Sequence, residues 1–170
     1  MPPRTIYLIS SRNASFQRAH FAIFVPSEAN PAQGSLINVV GAPMTGYQLE
    51  FERNYSIPPE NCEVVPIGQV DSSNVVDSTT ITPNQGQTTN KDFTPQGNLE
   101  IAASQVPAPG VSANFMAPVK DVTNKRCQEW TMEYIRYLVS KGYLGSEAIQ
   151  IVQYKRDAPD HGIGLQAMHR

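Results

Sequence analysis

Five short apolar runs, each cut off by a turn signal, fill the first 70 residues of the chain. Thr5 to Ile9 reads TIYLI and is rich in β-formers. Ala19 to Val25 is almost wholly apolar and closes at Pro26. Pro, Ser, Asn and Gly then mark a loop to Gly34. Ser35 to Val40 (SLINVV) forms a third run, ended by Gly41-Ala42-Pro43. Gly46 to Tyr55 alternates apolar and polar residues, as a half-buried strand does. Glu63 to Val70 is the fifth, and its Pro66 marks an edge or a bulge. Short strands joined by short loops predict an antiparallel meander.

The pattern then changes. Residues 71–98 are rich in Ser, Thr, Asn and Gln and bury little, which predicts a long polar loop or insertion. Residues 99–122 are broken by Pro107, Pro109 and Pro118 and read as irregular. Residues 123–156 are helical. The first helix spans Asn124 to Lys141, with Thr123 or Asn124 as its cap and Gly142 as its stop. Cys127, Trp130, Tyr134 and Leu138 form one apolar stripe on it, and Met132, Ile135 and Val139 a second, so it packs on more than one side. A second helix covers Ser146 to Arg156. The tail, 157–170, carries Pro159, Gly162 and Gly164 and reads as loosely held. The expected class is α+β: about five antiparallel strands packed against a helix with a cysteine at its N-terminus.

A length of 170 residues fits a single domain, 1–170, and 40% apolar residues allow a real core. A net charge of −2, with the basic residues scattered, argues against nucleic-acid binding. The two cysteines, Cys62 and Cys127, are no disulfide scaffold. The N-terminal apolar run stops at Ser10–Ser11–Arg12, unlike a signal peptide, and no stretch approaches a membrane span. A cytoplasmic protein is expected, with a small-molecule or peptide substrate. No phosphate-cradling glycine loop is present, and no cofactor is expected. The oligomeric state stays open.

Two residue types point to chemistry. Cys127 lies in the first turn of the strongest helix, where free N–H groups and the helix dipole favour an anion. With Lys125 and Arg126 alongside, its thiol is expected to titrate low and act as a nucleophile. His20 opens an apolar strand, where an imidazole needs a partner. Alternation puts His20, Ala22 and Phe24 on one face, and Leu36, Asn38 and Val40 on one face of the next strand. Antiparallel pairing across the loop sets Ala22 opposite Asn38 and makes His20 the diagonal neighbour of Asn38. Asn38 would then orient the ring and leave its other nitrogen for the thiol.

RAHFAIFVP, then SLINVVG, then a distant RCQEW opening a helix resembles the permuted branch of the NlpC/P60 superfamily, which includes the lecithin:retinol acyltransferase-like thiol enzymes. The resemblance implies a circularly permuted papain-like fold. It implies His20 as general base, Asn38 as orienting residue and Cys127 as nucleophile. The chain departs from the family pattern at Arg126–Cys127–Gln128, where Asn-Cys-Glu is usual, and in its long polar segment.

Other residues carry weaker signals. Trp130 and Tyr134 are candidates for lining a substrate pocket, or else core. Cys62 reads as a spectator thiol. His161 reads as a solvated residue of the tail, and Asp157, Asp160 and His161 have no standard metal spacing. Glu50 and Glu52 read as the solvated face of their strand. Two functions from different classes follow. One is a cysteine-dependent hydrolase, acyltransferase or cyclase acting on an amide, ester or thioester. The other is a non-catalytic papain-like binding protein that recognises partners through its long polar segment. A metal protein using His20 and Cys127 lacks third and fourth ligands.

Overall fold

The computed structural model describes residues 3–12, 14–77, 90–112, 118–119 and 124–161. Among them the chain forms strands β1 (Pro3–Ser11), β2 (His20–Pro26), β3 (Gln33–Ala42), β4 (Gly46–Ser56), β5 (Cys62–Asp71) and β6 (Asn90–Asp92). Helices α1 (Gly97–Ser104), α2 (Cys127–Ser140) and α3 (Glu147–Lys155) follow. The class is α+β. All strands pair antiparallel in one sheet of order β5-β1-β2-β3-β4-β6. β1 to β4 are the meander that the short loops predict, and β5 returns to pair with β1.

Pro66 sits on the edge strand β5, where a missing N–H costs least. The ladder also slips there: Ile6 pairs with Gly68 and Tyr7 with Pro66, leaving Ile67 as the extra residue of a bulge.

Alternation gives the sheet two unlike faces. Ile6, Leu8, Phe21, Ile23, Val25, Ile37, Val39 and Phe51 point to the helices and join Trp130, Tyr134, Ile135 and Leu138 of α2 in the main core. Ile9, Ala22, Phe24 and Leu36 form a smaller cluster on the opposite face.

The ends of α2 follow local chemistry. Its cap is Arg126 rather than Thr123 or Asn124. Asn124 has a left-handed φ of 58°, which breaks the helix before it can begin there, and Thr123 lies outside the described residues. Glu129 accepts the Arg126 main-chain N–H at 2.9 Å, as in a capping box. At the other end Gly142 takes φ 78°. There Gly142 N–H bonds Val139 and Tyr143 N–H bonds Leu138, both at 3.0 Å, a Schellman stop.

Two expectations are corrected. The segment read as loop or irregular contains β6 and α1. α1 has only a weak apolar stripe, so periodicity missed it; it is held by tertiary contacts instead. Arg53 of β4 reaches Glu100 of α1 at 2.5 and 2.8 Å and Asp92 of β6 at 3.2 Å. The core of the polar segment, 78–89, lies outside the described residues, as do 113–117, 120–123 and 162–170. The start of the tail is pinned rather than loose, because Asp157 and His161 bond back to the sheet and its loops. Among the described residues no helix is long and apolar enough to cross a membrane.

Candidate functional site

The β2–β3 ladder runs from Pro26–Gly34 to Ile23–Ile37 and stops, although β3 continues to Ala42. Where it stops, the first turn of α2 meets the β2 main chain. The Ala19 carbonyl accepts Gln128 Nε2 at 3.0 Å and the Cys127 thiol at 3.8 Å. The Phe21 N–H faces the Cys127 sulfur and works to lower its pKa. A helix end thus supplies polar partners that a neighbouring strand no longer gives.

A buried network locks this junction. Arg18 reaches Glu129 at 2.9 Å, Gln128 at 3.1 Å and the Ala158 carbonyl at 2.8 Å. Arg156 reaches the same Glu129 oxygen at 3.0 Å. Asp157 accepts Ala19 N–H at 2.9 Å, Arg12 at 2.8 Å and Gln128 at 2.8 Å. Burial works to raise the Asp157 pKa, but these donors outweigh it and hold the carboxyl below its ordinary range. Every residue of the RCQEW run is therefore used structurally. Arg126 opens the helix, Cys127 and Gln128 seat on β2, Glu129 anchors two arginines, and Trp130 enters the core.

His20 lies on the sheet face opposite α2, with Ala22 and Phe24. Its Nε2 is 2.9 Å from the side-chain nitrogen of Asn38, the contact that the strand alternation anticipates. Asn38 is only 2% exposed, and its side-chain oxygen has no partner. An unsatisfied buried acceptor costs about 1–3 kcal/mol. Burial lowers the His20 pKa, so the ring is neutral near pH 7.

The expectation of a low-titrating thiol is reversed. Burial pushes the Cys127 thiol up, and the Phe21 N–H only partly offsets it. The cations named for that role are engaged elsewhere or desolvated: Lys125 pairs with Glu133 at 2.5 Å, and burial lowers the Arg126 pKa. At rest the thiol bonds the Ala19 carbonyl, while the imidazole bonds Asn38 on the other face. The sulfur touches the main chain on both sides of His20 without a hydrogen bond to its ring.

Trp130 and Tyr134 are core residues and touch no site. Both are 0% exposed. Their rings stack at 5.2 Å, Trp130 Nε1 donates to Val106 at 3.0 Å, and the Tyr134 hydroxyl donates to Leu99 at 2.8 Å. Their polar atoms are thus consumed inside the protein, which corrects the substrate-lining expectation. Cys62 is half-buried, and burial raises its thiol pKa. His161 bonds the Gln17 carbonyl at 3.2 Å instead of standing in solvent. Among the described residues no group of three or more His, Cys, Asp or Glu could hold a metal ion.

Two residues escaped the sequence reading. Tyr47 packs near the α2 N-terminus, where burial first, and then the nearby Cys127, push its hydroxyl up to about 12. Glu50 is 5% exposed, not solvated, and lies directly across from Asn38. The alternation placed Glu50 on the correct face; nothing local revealed that this face is covered. A cleft of about 370 Å³ lies between residues Pro107–Ser112 and Asn124–Lys125, just before Cys127 in the chain, but Cys127 does not line it.

No curated protein and no solved structure matches the chain. A family match covers residues 6–145, which takes in most of β1, all of β2 to β6, α1 and α2, and therefore His20, Asn38 and Cys127. The chain belongs to DUF6540, a family of unknown function.

Proposed function

We propose that the protein is a cysteine-dependent acyl-transfer enzyme of permuted papain-like architecture, a hydrolase, acyltransferase or cyclase acting on an amide, ester or thioester. Cys127 is the nucleophile, His20 the general base, and Asn38 orients the ring. One observation carries the reading: the Cys127 sulfur is seated on the main chain at Ala19 and Phe21, either side of a histidine that a buried asparagine holds at 2.9 Å.

The pKa directions define the resting state. A raised thiol and a lowered imidazole are both neutral near pH 7. In this reading the thiol proton passes to His20 as the sulfur–carbon bond forms, rather than before, and the transfer requires the ring to reach the sulfur past the end of the β2–β3 ladder, since at rest the two lie on opposite faces of β2. N–H groups of the first turn of α2 are suited to the developing oxyanion. As the intermediate collapses, the carbon–leaving-group bond breaks and the imidazolium returns its proton to the leaving nitrogen, oxygen or sulfur. A thioester remains. Water or another acceptor attacks it, giving its proton to His20, and the sulfur is released as thiol.

The test is Cys127 alkylation by iodoacetamide across pH, in the native protein and in His20→Ala, followed by a screen of esters, amides and thioesters. General-base assistance is worth about 10²-fold or more, so the reading expects a fall of that order in His20→Ala near pH 7. Equal rates in the two proteins would remove it.

The burial of the thiol favours a second reading, a non-catalytic binding protein in which Cys127 is a structural hydrogen-bonding group. In that case alkylation tracks unfolding, rising with urea in parallel with the loss of structure.

A further inference from the structure

Asn38 presents a problem that the catalytic pair alone does not solve. Its amide is buried on the His20 face, its nitrogen sits against His20 Nε2, and its oxygen has no partner. A carboxamide has a second orientation, a half turn away, with the same outline. In that orientation the oxygen accepts from Nε2–H of a neutral imidazole. The orphaned acceptor disappears, and the NH₂ group instead requires an acceptor on the side away from β2.

β3 is flanked by β2 on one side and β4 on the other. Directly across from Asn38 on β4 stands Glu50, on the same face. It is 5% exposed, and its ion pair is a loose one, Oε1 to Lys91 at 4.0 Å, with Lys91 itself exposed. A carboxylate with so little exposed surface and so loose an ion pair gains from a donor at close range. The Asn38 amide needs an acceptor. The two requirements are met by one hydrogen bond.

We infer that Glu50 is a positioning residue: its carboxylate accepts from the Asn38 amide, whose oxygen accepts from His20 Nε2–H, and this row across β4, β3 and β2 fixes His20 in the tautomer that leaves Nδ1 free as a base. The inference deepens the catalytic reading and rests on it for its purpose. Its geometry stands independently, because the row fixes a tautomer whether or not the thiol reacts. Glu50 itself touches no reacting atom; it acts through Asn38.

The experiment is nitrogen-15 NMR of the histidine side chains in the full chain, with the His20 signals assigned by their loss in His20→Gln. The native protein is expected to hold His20 as the neutral Nε2–H tautomer, its proton sheltered from exchange. Glu50→Leu keeps bulk but removes the acceptor, and exchange of that proton should quicken about tenfold, the worth of one hydrogen bond. Glu50→Gln keeps an acceptor and should stay within about twofold of native. An Nδ1–H tautomer in the native protein overturns the inference without any variant, so it remains falsifiable if Glu50→Leu does not fold. Unchanged exchange in a folded Glu50→Leu overturns it too. The two readings fail separately. Alkylation indifferent to His20→Ala removes catalysis and leaves the row; an unmoved proton in Glu50→Leu removes the row and leaves catalysis.

Discussion

Replacing Gln128 by Leu should destabilise the protein by about 3–5 kcal/mol. The side chains are close in volume, so no large cavity opens, and the effect isolates the polar network. Gln128 is 0% exposed. Its Nε2 donates to the Ala19 carbonyl and to Asp157, and its Oε1 accepts from Arg18 and from the Asp157 N–H. Three of those partners keep other contacts: Ala19 the Cys127 thiol, Asp157 Arg12 and the Ala19 N–H, and Arg18 Glu129. Each of the three losses is worth about 0.5–1 kcal/mol net. The Asp157 N–H is part-buried and keeps no other partner among the described residues, and an orphaned donor there adds about 1–2 kcal/mol. The total is a large part of the roughly 5–15 kcal/mol that holds a typical domain. Urea unfolding followed by tryptophan fluorescence reads it, since Trp130 lies two residues away on α2. A loss below about 1 kcal/mol at unchanged slope would show that water replaces the network and that the junction between β2, α2 and Asp157 is not built as described.

Further outcomes follow from the same contacts. The His20 pKa is lowered from its ordinary 6.5 by burial, so the unfolded chain binds the proton more readily than the folded one. Stability should therefore rise with pH from the lowered folded value up to about 6.5 and level off above it, and His20→Gln should remove that slope in urea titrations between pH 4 and 8. Gly34→Ala would set a Cβ 2.1 Å from the Val25 carbonyl at the β2–β3 ladder; it should lower the unfolding free energy by about 2 kcal/mol or more, and a neutral result would refute the tight strand approach. Tyr134→Phe removes the hydroxyl bonded to Leu99 and should cost about 1 kcal/mol in thermal unfolding. On any substrate the screen identifies it should leave KM unchanged, whereas a raised KM would return Tyr134 to the substrate pocket.

The sequence alone determined the strands, the long helix and the contact between His20 and Asn38. Short apolar runs cut off by turn signals located β1 to β3 and β5, and period-two alternation located β4, because a strand buried on both faces reads as a continuous apolar run while a half-buried one alternates. The 3.6-residue stripe and Gly142 located α2 and its end, because helix stops need a left-handed residue that glycine supplies. Loop length and alternation brought His20 to Asn38, since antiparallel pairing across a short loop leaves little freedom of register. The tertiary structure decided what depends on distant neighbours. α1 forms because Arg53, far away in the chain, draws Glu100 inward. The polarity of Glu50 was legible and its burial was not, because alternation names a face but not what covers it. The thiol shows the limit most clearly. A helix N-terminus with two adjacent cations reads locally as an anion site, yet Lys125 is drawn off to Glu133 and desolvation outweighs the nearby N–H groups, so the Cys127 thiol is pushed up. Burial is a property of the packed molecule, and no window of sequence contains it.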